Sequence, residues 1–305
     1  MDAPLVSVLM TAYNRERFIA EAIESVLAQR LRDFELVVCD DASSDSTVAI
    51  AQHYASRDSR VVVLANDRNL GDYANRNRAA AAARGRYIKY HDSDDIMYPH
   101  CLTVMVEAFE RQPEAQIALS ASRPWPGGPC PMLLTPRLAY EREFLGGGLF
   151  HLGPGSAMIR TDTFRALGEF PMAGAASDYL FWLRACARVP VVLVAGDLFF
   201  YRVHTGQEIT KPTSVEAYAR ASGAAWRMLN SDDCPLDSSV RQLAKRNYTF
   251  GAARGAFRLA RRRRFGAAAT IIRHAGLTPL DWVRYLRPPR RQADAGTPRP
   301  PQVNA

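Results

Sequence analysis

The sequence predicts an α/β fold: a mostly parallel sheet with helices on both faces, followed by a C-terminal helical extension. Three observations predict it. Short apolar runs alternate with amphipathic helical patterns through residue 111, and these runs close in polar clusters such as Asp40-Asp41-Ala42-Ser43-Ser44-Asp45 and Asp92-Ser93-Asp94-Asp95. After residue 210 the patterns are helical only. Strands separated by helices need crossover connections, which pair strands in parallel and bury both faces of the sheet.

Leu5-Val6-Ser7-Val8-Leu9-Met10 reads as a buried strand that ends in Thr11-Ala12-Tyr13-Asn14. Phe18, Ile19, Ala22, Ile23, Val26 and Leu27 then fall on one stripe of a helix, with Glu16, Glu21 and Glu24 on the opposite side. Phe34–Cys39 is the second strand, and the Ser/Asp cluster behind it supplies turn and capping groups for a helix over 46–56. A strand over Arg60–Ala65, an Ala-rich helix near 72–84 and a strand over Tyr87–His91 continue the alternation. A helix over 99–111 and a strand over 116–121 precede Pro/Gly-rich stretches at 124–131, 146–148 and 153–155, which read as loops. A helix over 177–188 carries Asp178 near its start, a strand spans 190–195, and 214–230 and 238–276 are helical. These patterns divide the chain into a sheet-based domain, 1–210, a helical extension, 211–290, and a basic, Pro-rich tail, 291–305, expected to be disordered.

The chain has 305 residues, 48% of them hydrophobic and 23% charged, enough to bury a sizeable core. Its net charge of +8 is local: residues 251–305 hold twelve Arg and two Asp, which leaves the first 250 residues slightly acidic. That distribution argues against a nucleic-acid partner, which needs basic residues spread over a folded face. The arginines, interleaved with Phe265, Ile271, Ile272, Trp282, Val283, Tyr285 and Leu286, instead resemble an interfacial element in contact with an anionic membrane. The alternative is an ordinary helical layer with a solvated basic face. No apolar run is long enough to span a bilayer, no signal-peptide pattern opens the chain, and the five scattered cysteines form no CxxC pair. The expected location is the cytoplasm, with peripheral contact at the inner face of the membrane.

In a parallel sheet the ligand binds beyond the carboxyl ends of the strands, so the clusters at 40–41 and 92–95 should meet in one crevice. Carboxylates gathered there repel one another unless a divalent cation or a hydrogen-bonding ligand offsets the cost, and hard oxygen donors suit Mg²⁺ or Mn²⁺ with a nucleotide diphosphate. Taken singly, each cluster also reads as turn and cap chemistry.

Val6–Asn14, Glu35–Thr47, Asn69-Leu70-Gly71 with Arg76-Asn77, Gly85-Arg86-Tyr87-Ile88 and Asp92-Ser93-Asp94-Asp95 together closely resemble the family 2 glycosyltransferases of GT-A fold, a Rossmann-like architecture, over about residues 4–205. The resemblance implies an inverting, metal-dependent transfer of a sugar from a UDP- or dTDP-type donor to a sugar, lipid-linked or small-molecule acceptor, in polysaccharide, glycolipid or other glycan synthesis. It places Ala12 and Tyr13 around the donor base, one of Asp40 and Asp41, with Asp41 favoured, under a hydrogen bond from that base, and Arg76 toward base or diphosphate. Asp94 becomes the ligand of Mn²⁺ or Mg²⁺, and Asp92 contacts the ribose or a water held by the metal.

The stretch Gly168-Glu169-Phe170, then Ser177-Asp178, then Trp182-Leu183-Arg184 resembles the family's "G-x-F, then E-D, then W-x-x-R" pattern, which implies Asp178 as the catalytic base, with Ser177 where the family usually has Glu. The plainer account of Asp178 is a helix N-cap. Tyr201-Arg202-Val203-His204 is similar to the family's "Y-R-x-H" element and adds His204 toward the diphosphate or metal. Donor specificity is expected from the loops at 124–155.

Other classes fit less well. A phosphate-accepting receiver domain carries its Asp pair after the first strand rather than the second, and a Rossmann oxidoreductase would show GxGxxG after the first strand. A catalytically weak nucleotide-sugar scaffold would not be expected to keep Asp41, Asp94 and Asp178 together.

Overall fold

The structure is a computed structural model that describes residues 3–121, 129–204, 207 and 212–278. The tail expected at 291–305 and most of the Pro/Gly-rich stretch at 124–131 lie outside the described residues. The first elements are β1 (Val6–Ala12), α1 (Ile19–Leu27), β2 (Phe34–Asp40), α2 (Thr47–Ala55), β3 (Val61–Ala65), α3 (Asp72–Ala82) and β4 (Tyr87–Asp92). There follow β5 (Ile96–Met97), α4 (Cys101–Arg111), β6 (Ile117–Ala121), β7 (Met132–Leu134), α5 (Pro136–Leu145), β8 (Ala157–Arg160) and α6 (Thr161–Ala166). The last are α7 (Ser177–Ala185), β9 (Val191–Ala195), β10 (Phe199–Phe200), α8 (Pro212–Asn230), α9 (Ser238–Arg261) and α10 (Phe265–His274).

Eight strands form one sheet in the order β3-β2-β1-β4-β8-β6-β9-β7. The chain leaves β1 toward β2 and β3 and returns to its other side as β4, so strand order reverses at β1 and a crevice opens beyond the carboxyl ends of β1, β2 and β4. Register brings the acidic clusters together there: Ala12 lies opposite Asp40 on one side, and Thr11 opposite Asp92 on the other. Alternation along the strands feeds two cores. Val8, Met10, Leu36 and Val38 point into the layer of α1, α2 and α4, while Leu9, Val37, Ile88 and Tyr90 point into the layer of α3 and α5–α7.

Gly85 is required by geometry at the turn into β4. A Cβ at this position would lie 2.5 Å from the Ser7 backbone nitrogen, so only glycine lets β4 start against β1. The Gly85 N–H donates to Ser7 Oγ, which donates to Glu35 Oε1, itself paired with Arg84.

The sheet is mostly parallel, as the sequence predicts, with β8 antiparallel to β4 and β6, and β7 antiparallel to β9. Other expectations are corrected. The region read as loops contains β7 and α5, the latter opened by Thr135, whose hydroxyl accepts the Leu138 N–H ahead of Pro136 in the first turn. The helix over 238–276 is two helices, broken where Arg263 takes φ 59°. Residues 251–278 form the end of α9 and α10, packed against α8, with Ala253, Ala256, Ala267 and Ala268 buried. Among the described residues no helix is long and apolar enough to cross a membrane.

Candidate active site

Beyond the carboxyl ends of β1, β2 and β4 lies an open cavity of about 830 Å³. Ala12, Tyr13, Asp41, Arg76, Asp92, Asp94 and Asp178 line it, drawn from five separate stretches of the chain. Asp40 and His204 do not.

The first loop wall forms where β1 and β2 end. Asn14 and Ala42 both take left-handed φ, 52° and 62°, an unusual conformation for residues with a Cβ, and both turn the chain sharply at the cavity mouth. The paired aspartates part company there. Asp40 is fully buried and its carboxylate accepts from the Ser43 N–H and hydroxyl, a local loop clasp. Asp41 Oδ1 accepts from Asn66 Nδ2 at 2.8 Å and the Leu70 N–H at 2.7 Å, and Oδ2 accepts from the Gly71 N–H at 2.9 Å. Gly71, at φ 90°, turns these amides toward Asp41 just before α3 begins. Asn75 ties the same loop to the strand, donating to the Cys39 carbonyl and accepting from Asn66. Of the pair, Asp41 therefore faces the cavity on a tightly braced loop, while Asp40 is spent inside it.

Arg76 sits on α3 with its guanidinium buried between two carboxylates, 2.9 Å from Asp72 and 2.7 Å from Asp92. Those partners hold its proton more firmly than usual despite burial, and in return Arg76 keeps the Asp92 carboxyl below the ordinary carboxylate range against desolvation. Its Nη1 is buried without a hydrogen-bond partner among the described residues and belongs to a side chain that lines the cavity. Such a donor has an unmet demand for an oxygen.

Asp94 receives two neighbours, His204, which the resemblance sets toward the diphosphate or metal, and Arg15, which the sequence reading did not single out. Arg15 Nε donates to Asp94 Oδ2 at 3.1 Å, and His204 Nε2 lies 2.9 Å from the same oxygen. The cause is a small antiparallel pairing of β5 with β10, which carries the segment after Phe200 back over the end of β4. Arg202 locks that return: its N–H donates to Asp95 Oδ1, its Nε to the Asp94 carbonyl, and its guanidinium stacks over Phe18. The His204 ring packs on Phe18, with centroids 4.6 Å apart. Burial, with Asp92 and Asp94 nearby, pushes the Asp95 carboxyl up to about 7.

A divalent cation would find hard oxygens and one imidazole here. Asp94 is 9% exposed and borders the cavity, and its second oxygen carries no hydrogen bond among the described residues. No three His, Cys, Asp or Glu side chains among the described residues are gathered as a closed cage. Those residues fit Mg²⁺ or Mn²⁺, which take one or two protein carboxylates and fill the remaining positions with water and phosphate oxygens.

Asp178 occupies the first turn of α7, one turn before Trp182. Phe181 and Trp182 are fully buried, and Trp182 Nε1 donates to the Leu152 carbonyl, so the helix is anchored by its core side. Asp178 is not the N-cap: Ala176 precedes the helix, and Ser177 closes the preceding turn by donating to the Gly174 carbonyl and accepting the Ala173 N–H. The buried Ser177 therefore takes no part in the cavity. Asp178 is 7% exposed, and desolvation raises its carboxyl to about 6, with the Tyr179 N–H, Arg76 and the Tyr73 hydroxyl opposing the rise. A carboxylate with a proton affinity this close to neutrality is suited to general-base work.

Tyr73, Arg15, Met172 and Tyr218 also belong to this cavity and were not singled out from sequence. Arg15 adjoins the Tyr13-Asn14 motif and could have been found there; Met172 and Tyr218 carry no local signal. Of the 124–155 stretch expected to set donor specificity, only Gly153 among the described residues lines the cavity.

A family model described as "Glycosyl transferase family 2" matches residues 7–168. The putative glycosyltransferase EpsE of Bacillus subtilis is 41% identical over 117 residues, 38% of this chain and 42% of that protein. A protein of Escherichia coli named UDP-Glc:alpha-D-GlcNAc-diphosphoundecaprenol beta-1,3-glucosyltransferase WfgD is 42% identical over 106 residues, 35% of this chain and 41% of that one. The matched part thus spans about two-fifths of the length of the curated relatives. Among solved structures, residues 1–349 of TarS from S. aureus in complex with UDP-GlcNAc superpose with a TM-score of 0.63 at 21% identity, covering 82% of this chain and 72% of that one. At that identity the likeness is one of fold.

Proposed function

The chain belongs to the family 2 glycosyltransferases, and from that premise we propose that it moves a sugar from a nucleotide-diphosphate donor of UDP or dTDP type to an acceptor hydroxyl, with inversion at the anomeric carbon. The observation that carries this reading is the sharing of one cavity by Asp41, Arg76, Asp92, Asp94 and Asp178. Ala12, Tyr13 and Asp41 frame the base, with Asp41 accepting its N–H. Asp92 faces the ribose side, and the unpartnered Nη1 of Arg76 is a buried donor on the diphosphate side.

Asp178 takes the acceptor's hydroxyl proton while that oxygen bonds to the anomeric carbon. The bond from that carbon to the diphosphate oxygen breaks in the same step, and the diphosphate leaves with the electron pair. One base suffices, since no covalent glycosyl-enzyme forms. Asp94 and His204 would hold Mn²⁺ or Mg²⁺, which when bound neutralises charge on the departing diphosphate. The remaining rate comes from holding donor and acceptor in line within a site whose dipoles are already oriented.

The name of WfgD, whose acceptor is a sugar on diphosphoundecaprenol, favours a place in polysaccharide or glycolipid synthesis. We divide the chain into a nucleotide-sugar domain, 1–210, and a helical extension, 211–290. The exposed run Arg261-Arg262-Arg263-Arg264, flanked by exposed Phe257 and Phe265, is where the extension would touch an anionic membrane surface. Co-sedimentation with anionic vesicles at low salt, lost when the four arginines become serine, tests that contact. The donor is tested by a nucleotide-sugar hydrolysis screen with and without Mn²⁺. Release of UDP or dTDP from one donor, dependent on the metal, is the expected result; no turnover of any donor overturns the reading.

A further inference from the structure

Met172, Gly174, Ala175 and Tyr218 line a part of the cavity wall to which the donor contacts proposed above assign nothing. Helix α8 lies directly on the turn that leads into α7: Ala217 and Ala221 pack on Ala176, and a Cβ at Gly174 would sit 3.7 Å from that of Ala217. Small side chains on both partners let the two backbones approach closely, so α8 is held in register with the helix that carries Asp178.

The residue after Ala217 is Tyr218, which reaches the cavity with 39% of its surface exposed, near enough to feel the Asp178 charge. Met172, 62% exposed, and the backbone of Gly174 and Ala175 continue this wall. Leaving a tyrosine ring and a methionine open beside a general base keeps apolar surface in water, a cost that a bound ligand would relieve.

The chemistry of the wall narrows that ligand. Met172, Gly174, Ala175 and Tyr218 bring no cation, so the wall does not suit a phosphate or another anion, and it is an open ledge rather than the closed groove an acyl chain needs. A pyranose ring fits it. One face of such a ring presents a row of C–H groups, which are attracted to the electron-rich face of an aromatic ring, while its hydroxyls project from the rim.

We propose that Tyr218, with Met172 beside it, is the acceptor subsite, and that the acceptor presents a pyranose whose rim hydroxyl is directed at Asp178. The helical extension thereby completes the catalytic cavity instead of merely following it. The proposal rests on the donor and base assignments above and adds the acceptor class.

The test is saturation-transfer difference NMR on the full chain with UDP and Mg²⁺, using methyl glycosides of glucose, galactose and N-acetylglucosamine as probes, each run beside its octyl glycoside. Ring protons of at least one glycoside should receive saturation with the wild type, Tyr218→Phe and Tyr218→Trp, and affinity should fall roughly tenfold in Tyr218→Ala. UDP affinity by calorimetry should stay within about twofold in all four proteins, as expected for a side chain that the donor does not touch. Dependence on Tyr218 with both methyl and octyl glycosides supports a ledge that reads the ring, whether the natural sugar is free or lipid-linked. Unchanged binding in Tyr218→Ala, no glycoside binding by the wild type, or a signal only with the octyl chain overturns the ledge. Failure of both UDP and dTDP to bind the wild type overturns the donor assignment on which the ledge depends, so the two failures are told apart.

Discussion

Replacing Asp178 by Asn should abolish transfer and at the same time stabilise the folded protein, a combination that a purely structural aspartate would not give. The carboxyl titrates near 3.8 in an unfolded chain and at about 6 in the fold, because burial disfavours its charge. At about 1.4 kcal/mol for each pH unit, folding with an ionised Asp178 costs about 3 kcal/mol. The sign follows from which form binds the proton more tightly. The folded state does, so the cost is absent below pH 4, grows between about pH 4 and 6, and is complete above 6. Asn keeps the shape and an oxygen that can accept the Tyr179 N–H, now 2.6 Å from Asp178 Oδ1, without carrying the charge. Urea unfolding of both proteins at pH 8 and at pH 4 provides the measurement. The variant should gain about 3 kcal/mol at pH 8 and nothing at pH 4, while donor turnover falls on the order of 10²–10⁴-fold. A variant that is no more stable at pH 8, or that turns over normally, would refute the assignment of Asp178 as a desolvated base.

The wild-type rate of donor hydrolysis should rise with pH along a limb centred near 6, since the base works only after losing the proton that burial helps it keep; a flat profile down to pH 5 speaks against it. Asp94→Asn should weaken metal-dependent binding of UDP, measured by calorimetry with Mn²⁺ and again with EDTA, and equal affinities in the two titrations would remove the metal from this site. Asp41→Ala removes the acceptor of the part-buried Leu70 and Gly71 N–H groups, and should reduce UDP affinity more than Asp40→Ala does, because of the pair only Asp41 borders the cavity.

The first half of the fold was legible because its strands are short, largely apolar runs separated by helical patterns, those of β1, β2 and β4 stopping in polar clusters, and register then brings Asp41, Asp92 and Asp94 together. The second half was harder. Pro136 follows Thr135 and opens α5, yet the surrounding Pro and Gly made the stretch resemble a loop. The strand β8, only four residues long, inserts antiparallel between β4 and β6, and nothing in its local pattern fixes that direction. Site residues were readable where chemistry is local and hidden where it depends on docking. Asp178 falls in a recognisable pattern, whereas Tyr218 reaches the cavity only because alanines seat α8 on the Gly174–Ala176 turn.

The central claim, inverting transfer driven by Asp178 in the shared carboxylate cavity, is tested most directly by the anomeric configuration of the first sugar released when the enzyme hydrolyses its donor, followed by proton NMR before mutarotation. The account predicts a sugar of configuration opposite to that in the donor, formed by the wild type and not by Asp178→Asn. Release with retained configuration, or release at the wild-type rate from Asp178→Asn, would contradict it.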